Sequence, residues 1–267
     1  MSDPITVAAM SRSCSFFHNL VHQPVDQHLW RSLFLAKFDD PRPTFTINGG
    51  NSNKYPWASE LKRRVRSETL LTRRKPFASL SHEDQRLVLR TLIDVIFNSP
   101  TPAAQEYSLD LDWVRRLIDP VDIFKASSNN ADVAELHAQL HAYYGLTPQE
   151  KRPPGSKAMR TISRGFVYDL RKYTEENDWG PFLKDQREKV SWAHIDHIIN
   201  VVSMSLEDIV ELWERMRPPT GLAAMRPYSA SGDGNDPKDW AGVEGNWYRY
   251  VCFIDYRLVS ISATRIM

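Results

Sequence analysis

Helical spacing of apolar residues, broken at short intervals by proline or glycine, is the feature of this sequence that most restricts its fold. The chain holds 17 prolines and 11 glycines, and a proline inside a helix removes a backbone hydrogen bond and clashes with the preceding turn. Most helical stretches between these breaks are about three turns long. The sequence therefore predicts a mainly α protein, an irregular array of short helices with minor β structure at the C-terminus.

The best-marked helix follows Ser81, which can cap its N-terminus with Asp84 as the returning acid three residues later. Asn98-Ser99-Pro100 ends it, and its buried stripe has helical spacing. The same reasoning predicts helices from Trp57 to Pro76, over 109–118, from Asn130 to Gly145, over 191–204 and, with Ser205 as N-cap, over 206–217. The stretch 159–183 is ambiguous, because Phe166, Tyr168 and Leu170 alternate as in a strand, whereas Tyr173 and Glu175 could extend a helix.

Residues 10–42 contain two helical patterns on either side of Pro24, and residues 1–9 before them are expected to form a frayed lead-in. Asp26 stands where it can accept the free amides at the start of the second helix. The two helices predict a hairpin with a large apolar face, which must be buried in its own domain or offered to a partner. Its apolar residues are Phe16, Phe17, Leu20, Val21, Leu29, Trp30, Leu33, Phe34 and Phe38.

The second helix of the hairpin carries a distinctive run of residues: Asp26, His28, Leu29, Trp30, Arg31, Leu33 and Phe34, followed by residues 37–42. Together with residues 10–14, this run resembles the second half of the F-box in a large group of fungal F-box proteins. Residues 239–247 and 252–257 resemble another stretch of the same family. Both resemblances occur in the order that the family shows.

The resemblance implies a non-catalytic substrate receptor of a cullin-type ubiquitin ligase. In that family the F-box binds a Skp-type adaptor protein, the adaptor binds the cullin, and the rest of the chain recruits a target protein, which the sequence does not identify. Carried over residue by residue, the implied adaptor-binding residues are Met10, Phe16, Phe17, Leu20, Leu29, Trp30 and Leu33. The alternative is a stand-alone helical interaction or scaffold module, with the hairpin folded into its own core.

The sequence departs from the family at both ends. Only residues 1–6 stand where the family has a first F-box helix, and the family continues into a β-rich region where this sequence stops at Met267. We therefore expect a partial F-box. The loss of roughly three leucine-sized anchors, each worth at most about 1.5–3 kcal/mol, would weaken adaptor binding by several orders of magnitude.

Three regions are expected. Residues 1–42 form the partial F-box-like hairpin, residues 43–217 form a helical region, and residues 218–267 form a flexible loop with a terminal strand segment. The polar stretch 146–158 is the best candidate for a break within the helical region. The terminal strand is predicted by the aromatic and β-branched residues of 247–261.

Composition indicates a soluble globular protein of the cytoplasm or nucleus. The hydrophobic fraction is 42%, the charged fraction 25% and the net charge +1, which predicts neither a nucleic-acid nor a membrane partner. No apolar run reaches the about 18 residues of a membrane span. Cys14 and Cys252 form neither a disulfide framework nor a metal-binding motif.

A basic cluster with seven members could be a nuclear signal or a phosphate-binding face. The simpler interpretation, which we favour, is a solvated helix side whose arginines extend past Trp57 and Leu61. Its members are Lys62, Arg63, Arg64, Arg66, Arg73, Arg74 and Lys75.

No catalytic motif, cofactor fingerprint or complete metal site is present, so we expect a protein that is not an enzyme and needs no cofactor. Histidines at helical spacing form the pairs His137/His141 and His194/His197, but neither pair has the glutamate of a zinc-protease motif or an evident third ligand. Asp196 would have to turn to the same side as its neighbours, which the 100° step of a helix opposes. A metal-dependent enzyme built on these pairs is the least favoured hypothesis. The acidic loop 233–239 lacks the ligand spacing of a calcium site and is interpreted as a linker.

Overall fold

The computed structural model describes residues 4–22, 26–42, 45–46, 49–50, 55–73, 75–100, 107–121, 123–125, 128–184, 186–207 and 220–225. These ranges contain nine α-helices: α1 (Pro4–Ser11), α2 (Ser15–His22), α3 (His28–Leu35), α4 (Trp57–Thr72), α5 (His82–Asn98), α6 (Leu109–Ile118), α7 (Ala131–Tyr144), α8 (Gly155–Val167) and α9 (Trp192–Glu207). Short 3-10 helices cover Phe77–Ser79, Ile123–Lys125, Leu170–Lys172, Glu175–Asn177 and Gly221–Ala224. The prediction of a mainly α protein is confirmed.

Two small antiparallel pairs make up the β structure of these ranges. β1 (Phe45–Thr46) pairs with β2 (Gly49–Gly50), and β3 (Phe182–Leu183) pairs with β4 (Gln186–Val190). The terminal strand segment and most of the helix predicted over 206–217 lie outside the described residues.

Helix α5 lies at the centre of the molecule and contacts α4, α6 and α7. Its N-cap is Ser81, whose hydroxyl accepts a hydrogen bond from the Asp84 amide at 3.1 Å, as the sequence predicts. The predicted stripe is buried at Val88, Leu92, Val95 and Ile96, while Leu87 is partly buried at the edge of the core. Helix α7 packs on both α5 and α9, and α8 packs on α9, so the helices form one continuous array through the described residues.

Helix α6 is capped from a distant part of the chain. The carboxylate of Asp39 accepts hydrogen bonds from the Leu109 amide at 3.1 Å, the Asp110 amide at 3.2 Å and the Ser108 hydroxyl at 2.8 Å. Ser108 itself accepts from the Leu111 amide at 3.2 Å. The Leu109 and Asp110 amides at the start of α6 are therefore satisfied by a side chain only when the segment after α3 is in place.

Two glycines allow the segment 220–225 to lie directly against the end of α7. Gly145 has φ +80° and Gly221 has φ +58°, which other residues adopt rarely. A Cβ on Gly221 would lie 2.3 Å from the carbonyl oxygen of Tyr144, and one on Gly145 would lie 2.7 Å from the Cα of Gly221. The two backbones approach so closely that neither position has room for a side chain.

Two local expectations need correction, and one ambiguity is resolved. Residues 1–9 were expected to be a frayed lead-in, but α1 begins at Pro4. Ser205 was expected to start a new helix, but α9 runs through it to Glu207, because the Ser205 hydroxyl donates to the Val201 carbonyl at 2.9 Å instead of capping. The ambiguous stretch 159–183 is helical as far as Val167, followed by turns and the short β3 strand.

Candidate functional site

The seven predicted adaptor-binding residues divide into three groups by exposure. Phe16 and Leu20 are exposed, with 69% and 45% of their surface accessible. Met10, Phe17 and Leu29 are partly buried. Trp30 and Leu33 are buried, with 7% and 2% accessible. The predicted surface is thus split, and one part of it lies inside the molecule.

The burial of Trp30 and Leu33 corrects the expectation that α3 offers its apolar side to a partner. Both side chains belong to the hydrophobic core of this chain. The Lys62 ammonium of α4 lies 4.8 Å from the centre of the Trp30 ring, a cation–π contact. Helix α4 covers α3 because Trp57 and Leu61 present a matching apolar stripe, so α3 is held within the chain's own core.

Four of the seven predicted adaptor-binding residues lie on α1 and α2 and remain at least partly accessible, and we call them the N-terminal apolar face: Met10, Phe16, Phe17 and Leu20. Helix α2 is attached to the core through Val21, which is buried, and α1 through Val7. The rings of Phe16 and Phe17 pack edge to face with centroids 5.5 Å apart. Pro24, the expected turn residue after α2, lies outside the described residues.

Members of the basic cluster form ion pairs with carboxylates, which the sequence did not suggest. Arg63 pairs with Glu60 and Asp94, and Arg66 pairs with Asp84. These carboxylates come from α4 itself and from α5. A free phosphate-binding face on this side of α4 would therefore have to compete with existing ion pairs.

Arg64 is the member of the cluster that departs most from the solvated helix side we favoured. It is buried, donates to Asp110 at 2.7 Å and Glu60 at 3.0 Å, and lies 4.7 Å and 4.5 Å from the rings of Phe34 and Phe38. Burial raises the pKa of Asp110 to about 6, and the Arg64 guanidinium opposes that rise. This network joins α3, α4 and α6 inside the core.

The two members of each histidine pair have different hydrogen-bond partners. His137 Nε2 lies 2.7 Å from the Ile123 carbonyl, and His194 Nε2 lies 3.0 Å from the Tyr173 hydroxyl. His197 Nδ1 lies 3.1 Å from the Ser163 hydroxyl. Burial lowers the pKa of all three histidines. His194 is buried and His137 and His197 are partly buried, and all three act as hydrogen-bonding groups that join neighbouring elements.

His141 forms a cluster that sequence reasoning missed. Its Nδ1 lies 2.7 Å from Asp196 of α9, and its Nε2 lies 3.1 Å from Glu150. Burial disfavours the charged ring, but the two carboxylates outweigh it and raise the pKa of His141 to about 10. Glu150 also accepts from the Thr147 amide and hydroxyl at 2.8 and 2.7 Å. The Thr147-x-x-Glu150 spacing of a capping box was the available signal in the sequence.

The carboxylates of this cluster lie on opposite nitrogens of one imidazole ring, so they do not converge on a common point. Within the ranges that the structure describes, no group of three or more His, Cys, Asp or Glu side chains is arranged to hold a metal ion. The acidic loop 233–239 lies outside those ranges. Among the helices in the described part of the chain, none combines the length and apolarity needed to cross a membrane.

Comparison with known proteins adds no relative: no family model, no curated protein and no solved structure matches the chain.

Proposed function

We propose that this chain is a non-catalytic interaction protein related to F-box substrate receptors, and that it binds a Skp-type adaptor through the N-terminal apolar face. The observation that carries the proposal is the exposure of Phe16 and Leu20 on a short helix. Two helices of eight residues each are marginal by themselves in water. Phe16 and Leu20 stand four residues apart, so they lie on one face of this helix, and it is this shared face that we propose a partner covers.

The proposed contact surface is smaller than the one expected from the family resemblance. Trp30 and Leu33 serve the core, and they support the adaptor surface by fixing α3, from which α2 is separated only by residues 23–27. The remaining accessible anchors are few, so the affinity for the adaptor is expected to be modest. Each exposed anchor that becomes buried contributes at most about 1.5–3 kcal/mol.

A specific observation favours a second candidate function. The burial of Trp30 and Leu33 is what a stand-alone helical interaction module requires, because the second helix of the hairpin then belongs to the chain's own core. In that case the chain would bind its partner without a cullin-type ligase.

The test is co-purification of the full chain with a Skp-type adaptor, followed by titration. Substituting both exposed anchors, Phe16→Ser and Leu20→Ser, is expected to weaken adaptor binding by at least about tenfold without lowering the melting temperature. Trp30→Ala is unsuitable for this purpose because it opens a cavity in the core, so weaker binding could result from unfolding of the chain. The matched control is Ile162→Ser on α8, which removes an equally exposed apolar side chain from a distant helix. If the adaptor does not bind the wild-type chain, the stand-alone module is the better description.

A further inference from the structure

A cleft of about 620 Å³ opens where the C-terminal ends of α6 and α7 meet the turn after α7 and the segment 220–225. None of the residues that line it belongs to the N-terminal apolar face. Leu146 and Leu222, both largely buried, provide apolar wall. The charged residues that line it are Arg115, Asp119, Lys151 and Arg152.

Three of these four residues are cations without a carboxylate partner within ion-pair distance in the described part of the chain. The contrast with the next residue along α6 is direct, because Arg116 pairs with Asp112 at 2.8 Å. Asp119 already accepts a hydrogen bond from the hydroxyl of Tyr144, and burial raises the pKa of that hydroxyl, so it stays protonated. Three cations against one carboxylate leave the cleft with two positive charges.

Both walls of the cleft are held in place by internal bonds. The turn that carries Lys151 and Arg152 is closed by the Lys151 amide, which donates to the Thr147 carbonyl at 3.0 Å, and it is tied to α7 through Glu150 and His141. The opposite wall, at 220–223, is fixed by the close backbone approach of Gly221 to the end of α7. A cleft with fixed walls loses little conformational entropy when a ligand enters.

We propose that this cleft binds a phosphate group in its dianionic form. A guanidinium group can form two parallel hydrogen bonds to phosphate oxygens, and the cleft offers two guanidinium groups and one ammonium group. A phosphomonoester carries between about one and a half and two negative charges at neutral pH, which matches the two positive charges of the cleft. Its apolar wall at Leu146 and Leu222 has a low dielectric constant, which strengthens charge interactions on that side of the cleft. The same chemistry is presented by a phosphorylated protein side chain and by free inorganic phosphate.

Calorimetric titration of the full chain at low ionic strength tests the proposal, with two probes: inorganic phosphate and N-acetyl-O-phosphoserine amide. Both are expected to bind, and Lys151→Gln and Arg152→Gln are each expected to weaken binding by about tenfold. Tighter binding of the phosphoserine amide would assign a phosphorylated protein as the ligand, and equal or tighter binding of the inorganic ion would assign free phosphate. An absence of binding to both probes would overturn the proposal.

The matched control is Arg116→Gln, which removes one positive charge from the same helix but outside the cleft. Its phosphate affinity is expected to equal that of the wild type, and an equal loss in the control and in Arg152→Gln would show diffuse attraction and overturn the site. Cations near helix C-termini also stabilise the helices themselves. Melting temperatures are therefore measured in parallel: variants that melt earlier but bind phosphate unchanged would show that the cations serve α6 and α7, which would likewise overturn the proposal.

Discussion

At the scale of single residues, the interior of this protein contains charged groups that each have at least one partner on another helix. His141 is held by Asp196 and Glu150, and Arg64 is held by Asp110 and Glu60. Burying one member of such a group without its partners costs several kcal/mol. Because these contacts shift the pKa values of His141 and Glu150, the free energy of unfolding depends on pH.

Stability should fall as the pH rises above about 6.5. The pKa of His141 is raised from 6.5 to about 10, so its contribution is complete below pH 6.5 and is lost as the pH approaches 10. The pKa of Glu150 is lowered from 4.5 to about 2, so its contribution is lost as the pH falls from 4.5 towards 2. The contributions of His141 and Glu150 are therefore both complete between about pH 4.5 and 6.5, and urea unfolding should show the loss of the His141 contribution as a fall in the free energy of unfolding from pH 6.5 to 10.

The variant His141→Gln should be less stable than wild type by about 3–5 kcal/mol at pH 6 and should vary much less between pH 6 and 10. His137→Gln is the control, because His137 donates to a carbonyl and its pKa is lowered, so the alkaline loss of stability should persist. A wild-type free energy of unfolding that stays constant from pH 6 to 10 would contradict this account of the cluster.

At the scale of elements, the caps show which parts of the structure could be predicted from the sequence. Ser81 and Asn130 cap the helices that follow them, and both were predicted because cap and helix are adjacent. Asp39 caps α6 from about 70 residues away. Nothing in its neighbourhood indicates this role, since Asp39-Asp40-Pro41 is an equally good signal for the end of α3.

Substituting Asp39 should therefore weaken α6 and the core beneath it. Asp39→Ala removes the acceptor of two backbone amides and one hydroxyl, and we expect it to lower the free energy of unfolding by about 1–2 kcal/mol. Asp132→Ala, an exposed carboxylate in the first turn of α7, is the control and should change stability by less than about 0.5 kcal/mol. Equal effects in the two variants, measured by urea unfolding, would show that the cap contributes little.

At the scale of the whole molecule, apolar periodicity predicted the helical class and most helix positions, but not which faces meet. Trp30 lies on an apolar stripe whose sequence pattern is the same for a core residue and for a docking surface. Its contact with α4 shows that it belongs to the core. The helical step predicted that Asp196 points away from its neighbouring histidines. Its carboxylate instead contacts His141 of α7. Long-range pairings such as these are determined by helix packing, which single-sequence patterns do not report.

The docking of the segment 220–225 on α7 depends on two glycines, and Gly221→Ala should loosen it. The substitution places a methyl group 2.3 Å from a carbonyl oxygen at a positive φ, so we expect a loss of at least about 1–2 kcal/mol and faster hydrogen exchange in residues 220–225. Gly165→Ala in α8 is the control, since no atom lies within 4 Å of the added Cβ. It should raise stability by roughly 0.5–1 kcal/mol. A stabilising effect of Gly221→Ala would contradict the close approach.

The stacking of Arg64 on Phe34 and Phe38 has a consequence for dividing the chain into smaller pieces. A fragment that begins after residue 42 would keep the guanidinium and lose the two rings that cover it, together with the Asp39 carboxylate. Such a fragment would expose the buried Arg64 side chain and the adjoining hydrophobic core to solvent. A fragment that starts between α2 and α3 would keep both rings and the Asp39 carboxylate and would lose the core contacts of Val7 and Val21, so it should be the more stable of the two fragments.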